Sequence, residues 1–358
     1  MGIDDGHGWA SDMVAEGKFH TNNAVVDQNG VVTMFGRLWP EREWRVARVD
    51  GVDVTMSAIA GTNAEDYSAS TSGLSADVDA AGQAYMTYLD REDDKVYVIG
   101  NDDGIWSAAP VPLPFVPDRF PTLKADDVGG VHLIVPEDDP SNTYYLQADD
   151  WATSTWSSRL VVDYREPYIR MAVEADGRAH LLYRHGPNYE DPGELFHLEW
   201  INDTWETEKI DESDDKGLGP LGLVRDGENG ELIVYYKVGS RFVRARRTTE
   251  GWQGEISFRP GYDSHGTASV VEADGAWFSY HDSSDEWVVL RLTTDDEWIE
   301  CVVDSAPADL SGTLGLDENG NIYLSYWSAG ATYLHRVKTS RIEPGSEGCR
   351  VSESEAYP

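Results

Sequence analysis

The stretch RMAVEADGRAHLLY, from Arg170 to Tyr183, contains two runs of alternating apolar residues joined by an acidic turn that ends in glycine. Such runs predict two antiparallel strands, and glycine supplies the positive φ that a tight hairpin requires. Similar hairpins recur at intervals of 52, 48, 47, 53, 45 and 45 residues, with glycines at Gly30, Gly82, Gly130, Gly177, Gly230, Gly275 and Gly320. Seven such repeats predict an all-β, seven-bladed β-propeller.

The rest of each repeat predicts two further strands, which gives blades of four antiparallel strands. A third strand follows a loop of variable length, for example KVYVIG beginning at Lys95. The fourth strand usually opens with a tryptophan, and large aromatic side chains at this position predict packing between neighbouring blades. These tryptophans are Trp106, Trp156, Trp205, Trp252 and Trp298.

The two ends of the chain predict how the ring closes. The seventh repeat has no clear fourth strand, whereas GWASDMVAEG beginning at Gly8 resembles GWQGEISF beginning at Gly251. We therefore expect the N-terminal segment to complete the last blade, since an open ring would leave unpaired sheet edges. The alternative is the tail around Glu347. We assign residues 1–342 to one propeller and residues 343–358 to a C-terminal tail packed on its rim.

The charge of the chain is extreme. The formal net charge is −37, with 65 acidic and 28 basic residues, and only seven of the basic residues are lysines. Such a charge opposes compaction by self-repulsion in ordinary buffer, but molar salt shortens the screening length to about 3 Å. The composition is typical of a salt-adapted organism, such as a haloarchaeon or one of its viruses. Nucleic-acid binding through the overall field is disfavoured.

The sequence gives limited information on the compartment. It has no apolar run long enough to span a membrane as a helix, and its first residues do not resemble a signal peptide. We interpret this either as a mature chain without its leader or as a protein that never used one. A disulfide between Cys301 and Cys349 would attach the tail to the rim, but two free thiols are an equal alternative.

One face of the predicted ring is richer in cations and aromatic residues than the other. It carries the connections between the second and third strands and between consecutive blades, and we call it the loop-rich face. Arginine pairs with carboxylates or sulfates, and aromatic rings stack on sugars. The candidate ligand-binding residues are Arg37, Trp39, Trp44, Arg119, Phe120, Tyr164, Tyr168, Arg184, His185, Tyr262, His265, His281 and Trp327.

Four residues are candidates for catalysis because they fall at or near the start of inner strands, around the channel mouth. They are His20, Tyr168, Arg170 and His265. Such a group could abstract a proton beside a uronate carboxylate and neutralise that carboxylate, which is lyase chemistry. Hydrolysis would need paired carboxylates, which cannot be singled out among so many acids.

No cofactor is expected. The acidic runs Asp90–Asp94 and Glu137–Asn142 offer oxygen atoms to calcium, but neither has EF-hand spacing. Solvated loops are the simpler interpretation of such runs in this composition. Sequence motifs for nucleotide binding, for serine hydrolases and for zinc proteases are not found.

The repeats resemble those of the BNR-repeat, sialidase-like propellers. The resemblance rests on the recurring acidic hairpin, the tryptophan-led fourth strand and fragments of the family's Asp-box, such as Asn101–Trp106 and Thr248–Trp252. It covers nearly the whole chain but is architectural. The arginine triad and the Tyr–Glu pair of sialidases cannot be placed, so sialidase activity is not implied. The segment beginning at His20 resembles polysaccharide lyases weakly.

Two functional hypotheses follow. The first is a non-catalytic recognition propeller that binds a cell-surface glycan or a partner protein, for example as a host-attachment component of a haloarchaeal virus particle, in symmetric assemblies or alone. The second is a secreted lyase or hydrolase acting on acidic glycans. A scaffold that docks partner subunits is a third possibility. Fold alone does not decide between them.

Overall fold

The computed structural model is a ring of seven antiparallel β-sheets, which confirms the predicted seven-bladed propeller. Among the described residues there is no helix, and hence none long and apolar enough to cross a membrane. The description omits residues 1–2, 5–9, 17–18, 39–42, 63–74, 119–120, 139–141, 153–154, 164–168, 187–191, 214–217, 226–230, 259–264, 273–274, 282–285, 294–295, 305–311, 329–330, 339–341, 343–345, 347–348, 353–354 and 357–358.

The first four blades each contain four strands, which run from the central channel to the rim in chain order. Blade 1 contains β3 (Phe19–Val26), β4 (Val32–Leu38), β5 (Trp44–Asp50) and β6 (Asp53–Ala58). Blade 2 contains β7 (Ser75–Val78), β8 (Ala84–Asp90), β9 (Lys95–Asp102) and β10 (Ile105–Pro110). Blade 3 contains β11 (Thr122–Ala125), β12 (Val131–Pro136), β13 (Thr143–Ala148) and β14 (Ser157–Val162). Blade 4 contains β15 (Ile169–Val173), β16 (Ala179–His185), β17 (Gly193–Ile201) and β18 (Thr204–Ser213).

The last three blades each carry a fifth strand on the rim, supplied by the ends of the chain. Blade 5 contains β19 (Gly219–Arg225), β20 (Leu232–Val238), β21 (Arg241–Thr248), β22 (Gly251–Phe258) and β31 (Glu355–Ala356). Blade 6 contains β23 (His265–Glu272), β24 (Gly275–His281), β25 (Trp287–Leu292), β26 (Trp298–Asp304) and β30 (Cys349–Ser352). Blade 7 contains β27 (Gly312–Leu316), β28 (Asn321–Ser328), β29 (Ala331–Lys338), β2 (Ala10–Glu16) and β1 (Ile3–Asp4).

The N-terminal segment closes the ring, as the sequence predicted. Strand β2 pairs antiparallel with β29, with Ala10 opposite Arg336 and Ser11 opposite His335. Blade 7 therefore combines three strands from the end of the repeat array with two, β2 and β1, from the beginning of the chain. This sheet joins the two ends of the chain, so the ring has no open seam between its first and last blades.

The C-terminal tail runs along the outside of blades 5 and 6. Strand β30 pairs with β26 so that Cys349 lies opposite Cys301, and a disulfide joins these two residues. Strand β31 then pairs with β22 of blade 5. The tail is thus attached both by backbone pairing and by a covalent bond, which settles the choice between bonded and free cysteines.

An acidic residue holds each of several hairpins between the first and second strands. In blade 1, Asp27 Oδ1 accepts hydrogen bonds from the backbone N–H groups of Asn29 and Val31, both at 2.9 Å. Short acids favour turns because they satisfy backbone donors locally. The bond to the N–H four residues later recurs at Asp79, Asp126 and Asp317.

The other end of the same acid binds a side chain six residues later, on the second strand. The pairs are Asp79 with Tyr85 at 3.1 Å, Asp126 with His132 at 3.2 Å, Glu174 with His180 at 2.7 Å and Asp317 with Tyr323 at 2.9 Å. Burial and the bond to Asp317 raise the pKa of Tyr323 to about 12. We call this arrangement the acid cap, because one carboxyl group fixes both the turn and the strand that leaves it.

Three of these glycines, Gly30, Gly82 and Gly129, lie near the acid cap of the preceding blade. A Cβ atom on Gly82 would lie 3.0 Å from Asp27 Oδ2, and one on Gly30 would lie 2.6 Å from Asp317 Oδ2. Both glycines also have positive φ values, which L side chains rarely adopt. The repeated glycine is therefore required both for the positive φ of the turn and for the close contact between blades.

The hairpin of blade 3 corrects one position of the sequence analysis. The residue with positive φ is Gly129, at +90°, and not Gly130, and the capping acid is Asp126. Asp127 is exposed. Two consecutive glycines and two consecutive acids allowed either register, and the bond between Asp126 and His132 distinguishes them.

The cores lie between neighbouring blades, and the predicted packing of the tryptophans is confirmed. Trp106 packs with blade 1 residues such as Phe35, at a ring distance of 5.6 Å. Trp298 packs with Phe258 of blade 5 at 5.3 Å. Trp252 contacts the core between blades 4 and 5. Large aromatic side chains such as these contribute apolar surface to the contacts between blades.

Replacing the acid cap of blade 3 should destabilise the propeller. Asp126→Ala leaves the backbone N–H groups of Val128 and Gly130 and the ring of His132 without their acceptor. We expect a loss of about 3 kcal/mol in the free energy of unfolding, measured by chemical denaturation in molar salt. Asp127→Ala is the matched control and should change it by less than about 0.5 kcal/mol. Equal losses in both variants would contradict the assigned register.

Candidate recognition site on the loop-rich face

The strand order separates the two faces of the ring. Hairpins between first and second strands, and turns between third and fourth strands, lie at one end of each blade. The connections between second and third strands and between blades lie at the other end, which is the loop-rich face. Many of these connections fall outside the described residues, including 39–42, 164–168, 187–191 and 259–264.

The structure describes the candidate site residues to different extents. Six lie outside the described residues: Trp39, Arg119, Phe120, Tyr164, Tyr168 and Tyr262. Four are placed by backbone alone, at the loop-rich ends of strands: His20, His265, His281 and Trp327. The side chains of Arg37, Trp44, Arg170, Arg184 and His185 are described.

Arg37 and Trp44 pack together at the base of the loop in blade 1. Trp44 is only 2% exposed and lies in the core between blades 1 and 2, with its ring 5.6 Å from that of Tyr88. The Arg37 guanidinium lies 5.6 Å from the Trp44 ring centre. Trp44 is therefore a packing residue in this structure, and its ring is not on the surface.

Arg184 and His185 end strand β16 but have opposite surroundings. Arg184 is only 2% exposed, and its guanidinium lies between Gly186 and Gly193, where a Cβ would approach it to 2.8 and 2.7 Å. His185 is exposed, with its ring edge toward Phe196. Of the two, only His185 is presented to solvent.

Arg170 occupies a defined position on the wall of the channel. In each of five blades, one residue of the first strand lies four positions before the capping acid. It pairs with the residue of the second strand that lies eight positions after that acid. These first-strand residues are Asn23, Ser75, Thr122, Arg170 and Thr313. The five residues therefore lie at the same height on their inner strands. We call them the polar collar. Four are small or uncharged polar residues that are half-buried, and Arg170 is the exception.

The Arg170 side chain is exposed to solvent on β15, the innermost strand of blade 4, although many protein atoms lie around it. Burial lowers the pKa of its guanidinium. Its one hydrogen bond to a described residue is from Nη1 to the carbonyl oxygen of Ile169, at 3.4 Å, and no described carboxylate pairs with it. Within the described part of the chain, the positive charge at the loop-rich end of β15 has no carboxylate partner.

A second aromatic feature lies where blade 2 connects to blade 3. Phe115 stacks on Tyr144 with ring centres 4.4 Å apart, and Val116 beside them is 52% exposed. The Arg91 guanidinium donates to the carbonyl oxygen of Asp118 and holds this connection against blade 2. The sequence analysis named neither Phe115 nor Tyr144 as a candidate, because their contact depends on how the loop folds back.

Acidic residues of the two runs considered for calcium binding accept hydrogen bonds from side chains within the protein. Asp93 accepts hydrogen bonds from Lys95 at 2.7 Å and from Tyr97 at 2.8 Å. Glu137 accepts one from the side chain of Asn142. The described part of the chain contains no group of three or more His, Cys, Asp or Glu residues arranged to hold a metal ion.

Sequence reasoning missed a pair of buried histidines between blades 4 and 5. His180 Nδ1 and His197 Nε2 are 3.1 Å apart, and both rings are 1% exposed. Glu174 binds His180 on its other side, and Trp252 lies edge-on to His197 at 5.4 Å. Burial, with smaller effects from His180 and Arg247, lowers the pKa of His197 to about 3.

Around this pair lies a network of acids and arginines. Arg247 binds Glu199 at 3.3 Å and Glu208 at 2.6 Å, and Arg178 binds Glu199 at 3.1 Å. Glu208 also accepts a hydrogen bond from Trp252 at 3.1 Å. The network lies at the hairpin end of the seam, away from the loop-rich face. It joins two blades and does not contribute to the candidate site.

The structure is similar to solved β-propellers at low sequence identity. YCF48 bound to a D1 peptide aligns with a TM-score of 0.56 and 13% identity over 94% of this chain and 96% of that one. Puromycin hydrolase aligns with a TM-score of 0.60 and 14% identity over 95% of this chain and 55% of that one. The six-bladed fucose-recognising lectin of Aleuria aurantia aligns with a TM-score of 0.51 and 12% identity over 79% and 95%.

These similarities establish the propeller fold and nothing finer. No protein-family model matches the sequence, and no curated protein matches it. The resemblance to BNR-repeat propellers stays a prediction.

The buried His197 should make the protein sensitive to acid. Above pH 6.5, His197 is neutral in both the folded and the unfolded protein. Between pH 6.5 and about pH 3 it is protonated in the unfolded chain but stays neutral in the folded protein. The stability it confers is therefore present above pH 6.5 and is lost as the pH falls, by about 1.4 kcal/mol per unit. His197→Gln should remove about 1 kcal/mol per unit from the slope of unfolding free energy between pH 6 and about pH 4.

The matched control for this measurement is His185→Gln, since His185 is exposed. It should leave the slope of unfolding free energy against pH unchanged. A slope that is the same in wild type and His197→Gln would show that His197 accepts a proton in the folded protein.

Proposed function

We propose that the protein is a non-catalytic recognition propeller that binds an acidic cell-surface glycan through its loop-rich face. The observation that carries the proposal is Arg170, a cation exposed on the innermost strand of blade 4 without a carboxylate partner among the described residues. The chain has 65 acidic residues for 28 basic ones. An anion supplied by a ligand would complete this site.

The chemistry of the polar collar suits an acidic sugar. A guanidinium presents paired donors that match the two oxygens of a carboxylate, and the low dielectric of an enclosed channel strengthens the pair. Asn23, Thr122 and Thr313 offer amide and hydroxyl groups at the same height, which can exchange hydrogen bonds with sugar hydroxyls. Their half-buried positions leave them partly accessible from the channel.

The comparisons support a binding role in general terms. Similar propellers include a fucose-recognising lectin and a protein solved with a bound peptide. Both are ligand-binding propellers, although their low identity transfers no ligand to this chain. The binding experiment must therefore distinguish a glycan ligand from a partner protein.

The composition supports a high-salt setting for this function. A net charge of −37 repels acidic polymers at low ionic strength, whereas molar salt screens the long-range repulsion and leaves short-range pairing in an enclosed site. We place the protein outside the cell or on a virion, as a host-attachment subunit of a haloarchaeal virus.

An enzyme is the second candidate, and one observation favours it. Strands β3, β15 and β23 are equivalent inner strands, and His20, Arg170 and His265 lie near their loop-rich ends. Histidine and arginine around one channel mouth would suit abstraction of a proton beside a uronate, as in a lyase. Incubation with polyglucuronate followed by chromatography separates the hypotheses, because a lyase releases unsaturated oligosaccharides and a binding protein leaves the polymer intact.

Removing the charge of Arg170 should weaken glycan binding. We expect Arg170→Gln to bind glucuronate oligosaccharides roughly 10- to 100-fold more weakly than wild type in molar salt, since a charge-assisted hydrogen bond contributes about 1.5–3 kcal/mol. Isothermal titration calorimetry measures the difference. Arg48→Gln is the matched control: Arg48 is also exposed, but it lies on β5 near the rim of blade 1, so its loss should not change affinity.

The outcomes are distinct. Equal affinities in wild type and Arg170→Gln would remove Arg170 from the site while leaving glycan binding intact. Absence of binding to glucuronate polymers and to other acidic halophile polysaccharides in wild type would contradict the glycan proposal. Capture of a defined virion or surface protein instead would identify a protein partner.

A further inference from the structure

The rim of the ring is covered unevenly. Blades 5, 6 and 7 each carry a fifth strand, namely β31, β30 and β1. The outer strand of blade 2 is covered at its middle by Ala60, whose N–H and C=O groups bind Trp106 O and Ala108 N, both at 2.9 Å. The chain thus uses its own segments to pair exposed backbone edges at the rim, which is a common way to block edge-to-edge association.

The outer strand of blade 1 differs from these. Strand β6 is the last strand of its sheet, and no other described strand pairs with its outer edge. It exposes apolar side chains in an acidic protein: Val54 is 43% exposed, Met56 is 42% exposed, and Val52 in the preceding turn is 87% exposed. Asp53 is the one charged residue of β6.

The outer strand of blade 4 shows how this protein protects an edge that it leaves open. Strand β18 reads TWETEKIDES, with charged residues at five of its ten positions. Charged side chains on an edge oppose pairing with another chain. Strand β6 reads DVTMSA and has no lysine, no proline and no register shift in its pairing with β5. Its edge therefore lacks the protection that β18 has.

The sequence of β6 is complementary to itself in one antiparallel register. If Thr55 lies opposite Thr55 of a second copy, Val54 lies opposite Met56 and Asp53 lies opposite Ser57. Alternate residues of a strand share a face, so the apolar residues of the two copies meet on one face and no acid lies opposite an acid. We propose that β6 pairs with β6 of a second copy of this chain across a two-fold axis centred on Thr55.

The dimer should be weak and should strengthen with salt. A six-residue strand pair with a few apolar contacts is at the small end of specific interfaces, for which micromolar dissociation constants are expected. Each copy carries a net charge of −37, so repulsion opposes association at low ionic strength. Raising sodium chloride from about 0.2 M to about 2 M should tighten the dimer by roughly 10-fold or more, because screening shortens the range of that repulsion.

Cysteine cross-linking tests the register directly. Both native cysteines are joined in a disulfide, so Thr55→Cys introduces a free thiol at the proposed two-fold axis. Opposite residues of an antiparallel pair have Cα atoms about 4.5–5.5 Å apart, within disulfide range. Full-length Thr55→Cys in molar salt should form a covalent dimer on mild oxidation at low micromolar concentration. Ile105→Cys, at a 66% exposed position on the rim of blade 2, is the control and should remain monomeric.

Sedimentation provides a second measurement that does not depend on cysteine. Wild type in molar salt should sediment as a concentration-dependent dimer, and Met56→Asp should weaken it at least 10-fold, whereas Ile105→Asp should not. The proposal is overturned if wild type stays monomeric up to about 100 μM, if Met56→Asp dimerises as wild type does, or if Thr55→Cys cross-links no faster than Ile105→Cys.

Discussion

The acid cap is the interaction on which the rest of this propeller depends. One carboxyl group, such as that of Asp79, accepts hydrogen bonds from backbone N–H groups of its own hairpin. It also accepts one from the hydroxyl group of Tyr85, on the second strand of the same blade. The glycine of the following blade then lies against it, as Gly129 does against Asp79. A local turn preference is thereby coupled to the packing between blades wherever a capping acid contacts the glycine of the next blade, as the acids of blades 1, 2 and 7 do.

The hairpin face and the loop-rich face of the ring therefore differ in how strongly they are held in place. The hairpin end is fixed by acid caps and, between blades 4 and 5, by the buried histidines and their surrounding ion pairs. The rim is fixed by the two chain termini and by the disulfide. The loop-rich end bears few of these constraints among the described residues. It is the end at which sequence can vary and at which Arg170 is exposed.

The sequence predicted the fold well because its signals are local. The repeated acid and glycine fixed the number of blades, and the tryptophan near Gly8 identified the closing strand. The site was harder to predict because burial depends on contacts between blades. Trp44 and Arg184 flank loops, as surface residues do, yet they lie in the interior. The pairing of His180 with His197 and the polar collar both depend on cross-strand register, which residue type alone does not reveal.

The central claim is that ligands meet the ring at the loop-rich end of its channel. Hydrogen–deuterium exchange of the full-length protein in molar salt, with and without saturating acidic polysaccharide, tests it most directly. The account predicts slower exchange at the loop-rich ends of the inner strands, including the backbone around Arg170, and unchanged exchange at the acid-capped hairpins. Protection confined to those hairpins or to the outer strands would contradict it.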